Sequence, residues 1–225
     1  WQEGHGVYAS AEENERAVME FLRMYESFFR NTLAVAPVFG KKSEKEKFAG
    51  AVFSTSGEAI LLSGRALQSC TSHNLGTNFS EAFKIQFLGV DGKSHYPYQS
   101  SWGLSWRAIG AMLMTHGDKR GLILPPEMAP TQVIIVPIRG TSNETVMQVA
   151  RSIQTTLSGT GLRVEIDQSD ERPGARYHYH ERRGVPLRIE IGIRDIQNNQ
   201  VITANRLTGE KTPLPMKRLR ISRKG

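Results

Sequence analysis

The chain has 225 residues, 39% hydrophobic and 23% charged, which is ordinary for a globular protein and excludes wholesale disorder. No apolar run approaches the roughly 18 to 20 residues that cross a bilayer, the opening WQEGHGVYAS is no signal peptide, and the lone Cys70 excludes an internal disulfide. A cytoplasmic protein with no membrane partner is predicted. The formal charge of +7 is unevenly spread: residues 1–130 hold 13 Lys+Arg against 13 Asp+Glu, so the whole excess lies beyond them. A near-neutral half beside a basic one points to a small-molecule site next to a polyanion surface, although solubility alone would also account for the charge.

Ser10 followed by Glu13 has the spacing of a capping box, and Val18, Phe21, Leu22, Tyr25, Phe28, Phe29 and Leu33 recur with helical period, predicting one long amphipathic helix. Short β-type runs follow at 35–39, 59–62, 83–87 and 95–99, with Asp91-Gly92 as a hairpin turn between the last two, and together they predict an antiparallel sheet. Residues 105–117 read as a nearly all-apolar helix ended by Gly117, which should be covered on both sides and lie across that sheet. Pro125, Pro126 and Pro130 then interrupt the pattern, so a boundary is predicted at residue 130. Beyond it come a strand at 133–137, a helix at about 143–158, a strand near 163–167, a helix at 174–182 and strands at 187–191 and 201–204. This alternation predicts a small α/β domain over 131–225.

Five blocks carry a resemblance that covers nearly the whole chain: WQEGH (1–5), SEKEKFAGA (43–51), ALQSCTSHNLGTNF (66–79), SSWGLSWRAIGAMLMTHGDKRGLILPPEMAP (100–130) and GVPLRIEIGIRD (184–195). In order and approximate spacing they resemble the signatures of prolyl-tRNA synthetases. The fold this implies is α/β (α+β): part of the antiparallel-sheet class II catalytic domain over 1–130, then a mixed-sheet anticodon-binding domain. Trp1 and Arg107 are separated by little more than a hundred residues, which leaves no room for the editing domain of the bacterial type, so the resemblance is to the archaeal and eukaryotic type.

The resemblance implies proline, ATP with Mg2+, and proline tRNA as substrates, with a homodimer as the intact enzyme. It implies that Arg107 is the third-motif arginine that stacks on adenine and approaches the phosphates, a task suited to a planar, permanently charged fork. Gln68 and Thr71 match further nucleotide contacts, and Trp1, Glu3, His5, Phe48, His73, Ser101 and Gly103 match positions around the proline pocket. Aromatic walls suit a compact ring, and a carboxylate such as Glu3 suits its ammonium.

In the basic half, PGARYHYHERRGVPLRIEIGIRD resembles the family's anticodon-reading segment. Proline anticodons share two guanines, whose O6 and N7 atoms suit arginine, so Arg176, Glu181, Arg183, Arg188 and Arg194 are the candidates there. For each of them alone, a phosphate contact or a solvated charge is the more ordinary role. His178 and His180, two apart with no cysteine nearby, do not make a metal site, and none is predicted.

Departures from the family pattern are Cys70 for glycine, Ile193 for proline, and His180 and Arg182 for Trp and Leu. By the resemblance the chain begins inside the second class II motif, which predicts that this polypeptide alone forms no adenylate. An alternative is a synthetase-derived module that has lost catalysis and keeps RNA or partner binding. Threonyl, histidyl or glycyl synthetases fit the proline-pocket blocks less well.

Overall fold

A computed structural model of the chain describes residues 1–138 and 143–219. It divides into two compact units, Trp1–Thr115 and His116–Gly225.

The first unit is a five-stranded, wholly antiparallel sheet in the order β1-β7-β4-β3-β2, formed by β1 (Gln2–Tyr8), β2 (Val38–Lys41), β3 (Phe53–Ile60), β4 (Ala66–Gly76) and β7 (Tyr98–Leu104). One long helix, α1 (Ala11–Asn31), covers one face, as its amphipathic period predicts. Ser10 is its N-cap and accepts the Glu13 N–H at 3.2 Å. Val18 and Phe29 are fully buried, the Phe21 ring stacks on Trp102 with centroids 3.4 Å apart, and the Ser72 hydroxyl donates to the Val18 carbonyl at 2.9 Å. A buried amide pair, Asn14 Nδ2 to Asn74 Oδ1 at 2.8 Å, closes the other end of this contact.

Three expectations for this unit change. The 105–117 helix is α3 (Arg107–His116), but it buries only Ala108, Ala111 and Met112, while Met114 is 48% exposed; it is α1 that lies across the sheet. Of the run 83–87, only Phe87 is in a strand: α2 (Asn78–Ala82) precedes it, the Phe79 and Phe83 rings stack, and Lys84 takes a positive φ of 54° that breaks extension. The Asp91-Gly92 turn joins only the two-residue strands β5 (Phe87–Leu88) and β6 (Ser94–His95).

The second unit is a mixed sheet in the order β12-β11-β10-β8-β9, comprising β8 (Val133–Pro137), β9 (Val164–Ile166), β10 (Leu187–Ile191), β11 (Gln200–Asn205) and β12 (Lys211–Pro215). The β9-β8-β10 part is parallel and the β10-β11-β12 part antiparallel. The helix α4 (Glu144–Ser158) packs Val146, Ala150, Ile153 and Leu157 on Val133, Ile135, Ile189 and Ile191. The helix α5 (Pro173–Arg182) contributes buried Arg176 and His180, and the short α6 (Ile193–Gln197) follows β10. Strand β12 and helix α6 carry no pattern that predicts them.

The compact units divide after Thr115, and residues 118–130 are fastened to the second unit. The Arg206 guanidinium, 2% exposed, grips both Asp118 oxygens at 2.9 and 2.7 Å and holds that carboxyl well below the usual range. Arg163 donates to the carbonyls of Pro126, Glu127 and Ala129. Gly121, at φ +130°, runs so close to the Arg182 backbone that a Cβ would meet it at 2.5 Å.

Candidate functional sites

Directly paired residues on neighbouring strands project to the same face, and each strand alternates. The registers Glu3↔Gly103↔Thr71↔Ser56 and His5↔Ser101↔His73↔Ser54 therefore form two rows on the face opposite α1. The intervening row, Gly4↔Trp102↔Ser72↔Thr55, points to α1. A bulge in β4, where Cys70 pairs with Gly57 but Gln68 with Glu58, keeps Gln68 on the open face. Its side-chain oxygen accepts from the Lys42 ammonium, and the Ser56 hydroxyl donates to Glu58 at 3.0 Å.

Glu3, His5, Gln68, Thr71, His73, Ser101 and Gly103 thus share one face of one sheet. Glu3 and Thr71 flank Gly103, two strand spacings or about 10 Å apart. A Cβ at Gly103 would come no nearer than 3.6 Å to any atom, and its φ is not positive, so the fold does not require glycine there. Its missing side chain leaves a slot in the floor instead.

Phe48, on the loop between β2 and β3, places its ring 5.1 Å from the His73 ring, and the Ser54 hydroxyl receives the Phe48 N–H at 2.9 Å and meets His73 Nδ1 at 2.7 Å. Burial and then the Lys42 charge push the His73 pKa down, so the ring is neutral at pH 7. Neither Lys42 nor Ser54 stood out in the sequence, since both act through His73 or Gln68. Trp1 precedes β1 and is 80% exposed.

Arg107 opens α3, exposed, with no hydrogen bond or ion pair to its guanidinium among the described residues and no acidic residue in the first turn. Ser105 N–H donates to the Ser69 carbonyl at 3.3 Å, so the helix begins beside Gln68. A cation at a helix N-terminus opposes the dipole at a cost of about 0.3–1 kcal/mol, and the same two features favour an anion. Cys70 faces α1, where burial pushes its thiol up to about 12, so it is an inert core residue.

The anticodon candidates divide by burial. Arg176, 6% exposed, forms an ion pair with the Asp167 carboxylate at 3.1 Å and donates to the Pro137 and Asp167 carbonyls at 2.9 and 2.5 Å, so its guanidinium is held inside the fold, away from a base. Arg188 lies over the Tyr177 ring at 4.3 Å with Nε and Nη2 both on Glu190, which spends that edge of its fork. Glu181 gives one oxygen to Arg120 at 2.9 Å and its other oxygen has no partner among the described residues. Arg183 is exposed and donates to the Tyr179 hydroxyl at 2.9 Å. Arg194 is exposed and lines a groove of about 500 Å³ with Ile138, Asn143, Gly192, Ile193 and Asp195. His180 bonds Asp167 at 2.8 Å while His178 is exposed. Among the described residues, no three His, Cys, Asp or Glu side chains stand together as a metal site, and no helix is long and apolar enough to cross a membrane.

Residues 132–220 match the family described as an anticodon binding domain. That match covers the sheet and helices of the second unit and places it in the class of anticodon-binding domains. The chain is 46% identical over 219 residues to a proline–tRNA ligase of Cenarchaeum symbiosum, covering 96% of this chain and 46% of that one. It is also 46% identical over 219 residues to a proline–tRNA ligase 2 of Bacillus cereus, at 97% and 46% coverage. A crystal structure of prolyl-tRNA synthetase from Cryptosporidium parvum complexed with L-proline and AMP superposes with a TM-score of 0.94 at 42% identity, covering 98% of this chain and 48% of that one. The chain belongs to the prolyl-tRNA synthetase family. It spans about half the length of the curated relatives it matches.

Proposed function

We propose that the chain is part of a proline–tRNA ligase, which activates proline with ATP and transfers it to proline tRNA. The observation that carries this reading is the alignment of seven proline- and nucleotide-site candidates on the face of one sheet opposite α1, with Arg107 opening its helix beside them. The proline carboxylate attacks the α-phosphate of MgATP, and the bond to pyrophosphate breaks. A ribose hydroxyl of the tRNA then attacks the prolyl carbonyl and AMP leaves. Such chemistry needs positioning more than a general base.

In this reading Glu3 pairs with the proline ammonium, Trp1 and Phe48 wall the ring, and His5, Ser101 and the slot at Gly103 form the floor. A neutral His73 adds no charge to repel the ammonium. Gln68, Thr71 and Arg107 hold the nucleotide, and Mg2+ would enter as part of the MgATP substrate, where it would neutralise phosphate charge. The intact enzyme is a cytoplasmic homodimer. Proline-dependent exchange of pyrophosphate into ATP by the full-length polypeptide tests the activity. Exchange that depends on another amino acid, or no exchange, would overturn it.

The second unit binds the tRNA, with Arg183, Arg194, the free oxygen of Glu181 and the unspent edge of Arg188 as the base-reading groups in place of Arg176. Salt titrations of the 225-residue chain on two tRNAs differing only in the anticodon separate the roles. Arg183→Ala or Arg194→Ala should cost about 1–3 kcal/mol on proline tRNA alone if the side chain reads a guanine. Equal weakening of both tRNAs, with the salt slope lowered by about one, would mark a phosphate contact and remove that residue from anticodon reading.

A further inference from the structure

The inward side of α5 is consumed by the fold, since Arg176 and His180 both close on Asp167. Turned outward on the same helix is Tyr179, 55% exposed. It is the only exposed tyrosine, phenylalanine or tryptophan of the second unit among the described residues. The family resemblance assigns it nothing.

Its ring is nonetheless held in place. One side meets the His180 ring edge-on, with centroids 5.1 Å apart and planes at 81°, and His180 is itself fixed by its 2.8 Å contact with Asp167. The hydroxyl accepts from Arg183 Nη1 at 2.9 Å, and the Arg183 guanidinium carbon stands 5.4 Å from the ring centroid. Arg172 and Arg182, also exposed, flank it along the helix. An oriented, solvent-facing aromatic ring among guanidinium groups, in the unit that carries the whole net charge of +7, is complementary to an unpaired nucleobase and its adjoining phosphates. An acidic peptide would use the cations and leave the ring face idle.

We propose that Tyr179 is a stacking platform for one unpaired base of the bound RNA. The inference rests on the tRNA-binding reading above and adds to it a contact that carries no charge and reads no hydrogen-bonding edge. The platform was set before binding, so little ordering is left to be done when the base arrives.

The test uses the 225-residue chain and the anticodon stem-loop of proline tRNA, with 2-aminopurine placed at each loop position in turn. The wild type and Tyr179→Phe should quench one position on binding, and Tyr179→Ala should not. Tyr179→Ala should weaken binding about 5- to 150-fold, the measured range for one stacked base, with the salt slope unchanged. Tyr179→Phe should stay within about threefold, because the aromatic face remains and only a hydroxyl is lost. Circular dichroism of each variant checks the fold, which an exposed ring should not disturb. If Tyr179→Ala binds and quenches as the wild type does, the platform is overturned while tRNA binding stands. If the wild type binds the stem-loop no better than a blunt duplex of equal length, or is displaced from it equally by an acidic peptide, both readings fall.

Discussion

Replacing Arg176 by methionine is expected to cost the second unit about 3–5 kcal/mol, because it removes one member of a buried ion pair and leaves the other unpaired. The pair is 6% and 7% exposed, and the guanidinium also holds the carbonyls of Pro137 and Asp167, tying the end of β8 to the chain after β9. All three tryptophans lie in the first unit, so the loss is better read from urea-dependent hydrogen exchange of the β8 and β10 amides than from fluorescence. Arg183→Ala, which removes an exposed side chain, should change exchange by less than about 0.5 kcal/mol.

The acid limb of stability should move as well. Burial alone would raise the Asp167 carboxyl, but hydrogen bonds from Ser169, His180 and Arg176 outweigh it and hold the pKa at about 2, below its ordinary 3.8. A depressed folded-state value gives stabilisation that is full above about pH 4 and lost as the pH falls towards 2. Without Arg176 the folded-state value rises, so the loss begins at higher pH. A variant with wild-type exchange and an unchanged acid limb would return Arg176 to the pool of base-reading candidates.

Arg107→Lys should lower kcat/KM for ATP on the order of 100-fold in the full-length polypeptide, while KM for proline moves less than about threefold. The charge stays, but the planar fork that can stack and bond in two directions is lost. Nothing in the fold competes for this side chain: it is exposed, its guanidinium has no partner among the described residues, and at the head of α3 it opposes the helix dipole. Pyrophosphate exchange with each substrate varied in turn measures both constants. Equal effects on ATP and proline would remove Arg107 from the nucleotide site and leave it a general support of the pocket.

Several things were decided by the sequence alone. The helical period and the Ser10 cap specify α1, the apolar runs VIIVP and LRIEI specify β8 and β10, and the periodic Val146, Ala150, Ile153 and Leu157 specify α4, because in each case the hydrophobic pattern has the period of the element it forms. The family was legible for a different reason: long blocks in a fixed order are specific even where no local pattern is. Most strands of the first sheet were hidden. The positions that face α1 include Thr55, Ser72, Asn74 and Ser100, all buried, so polar residues stand where alternation would place apolar ones.

Only the tertiary structure decided which side chains remain free to act. A single bulge beside Cys70 sets whether Gln68 faces the open side or α1, and a register shift of one residue is invisible in composition. Likewise Arg176, Arg183 and Arg188 are alike in sequence context, but packing of α5 on its sheet spends the first, turns the second to solvent and lays the third on Tyr177. The packing of residues 118–130 was settled in the same way: prolines mark a break in local pattern, whereas the compact unit such a segment joins is set by which distant arginines, here Arg163 and Arg206, close on it. Local periodicity is written in the chain because it follows from backbone geometry, and the pairing of charges across tens of residues is settled only when the fold brings them together.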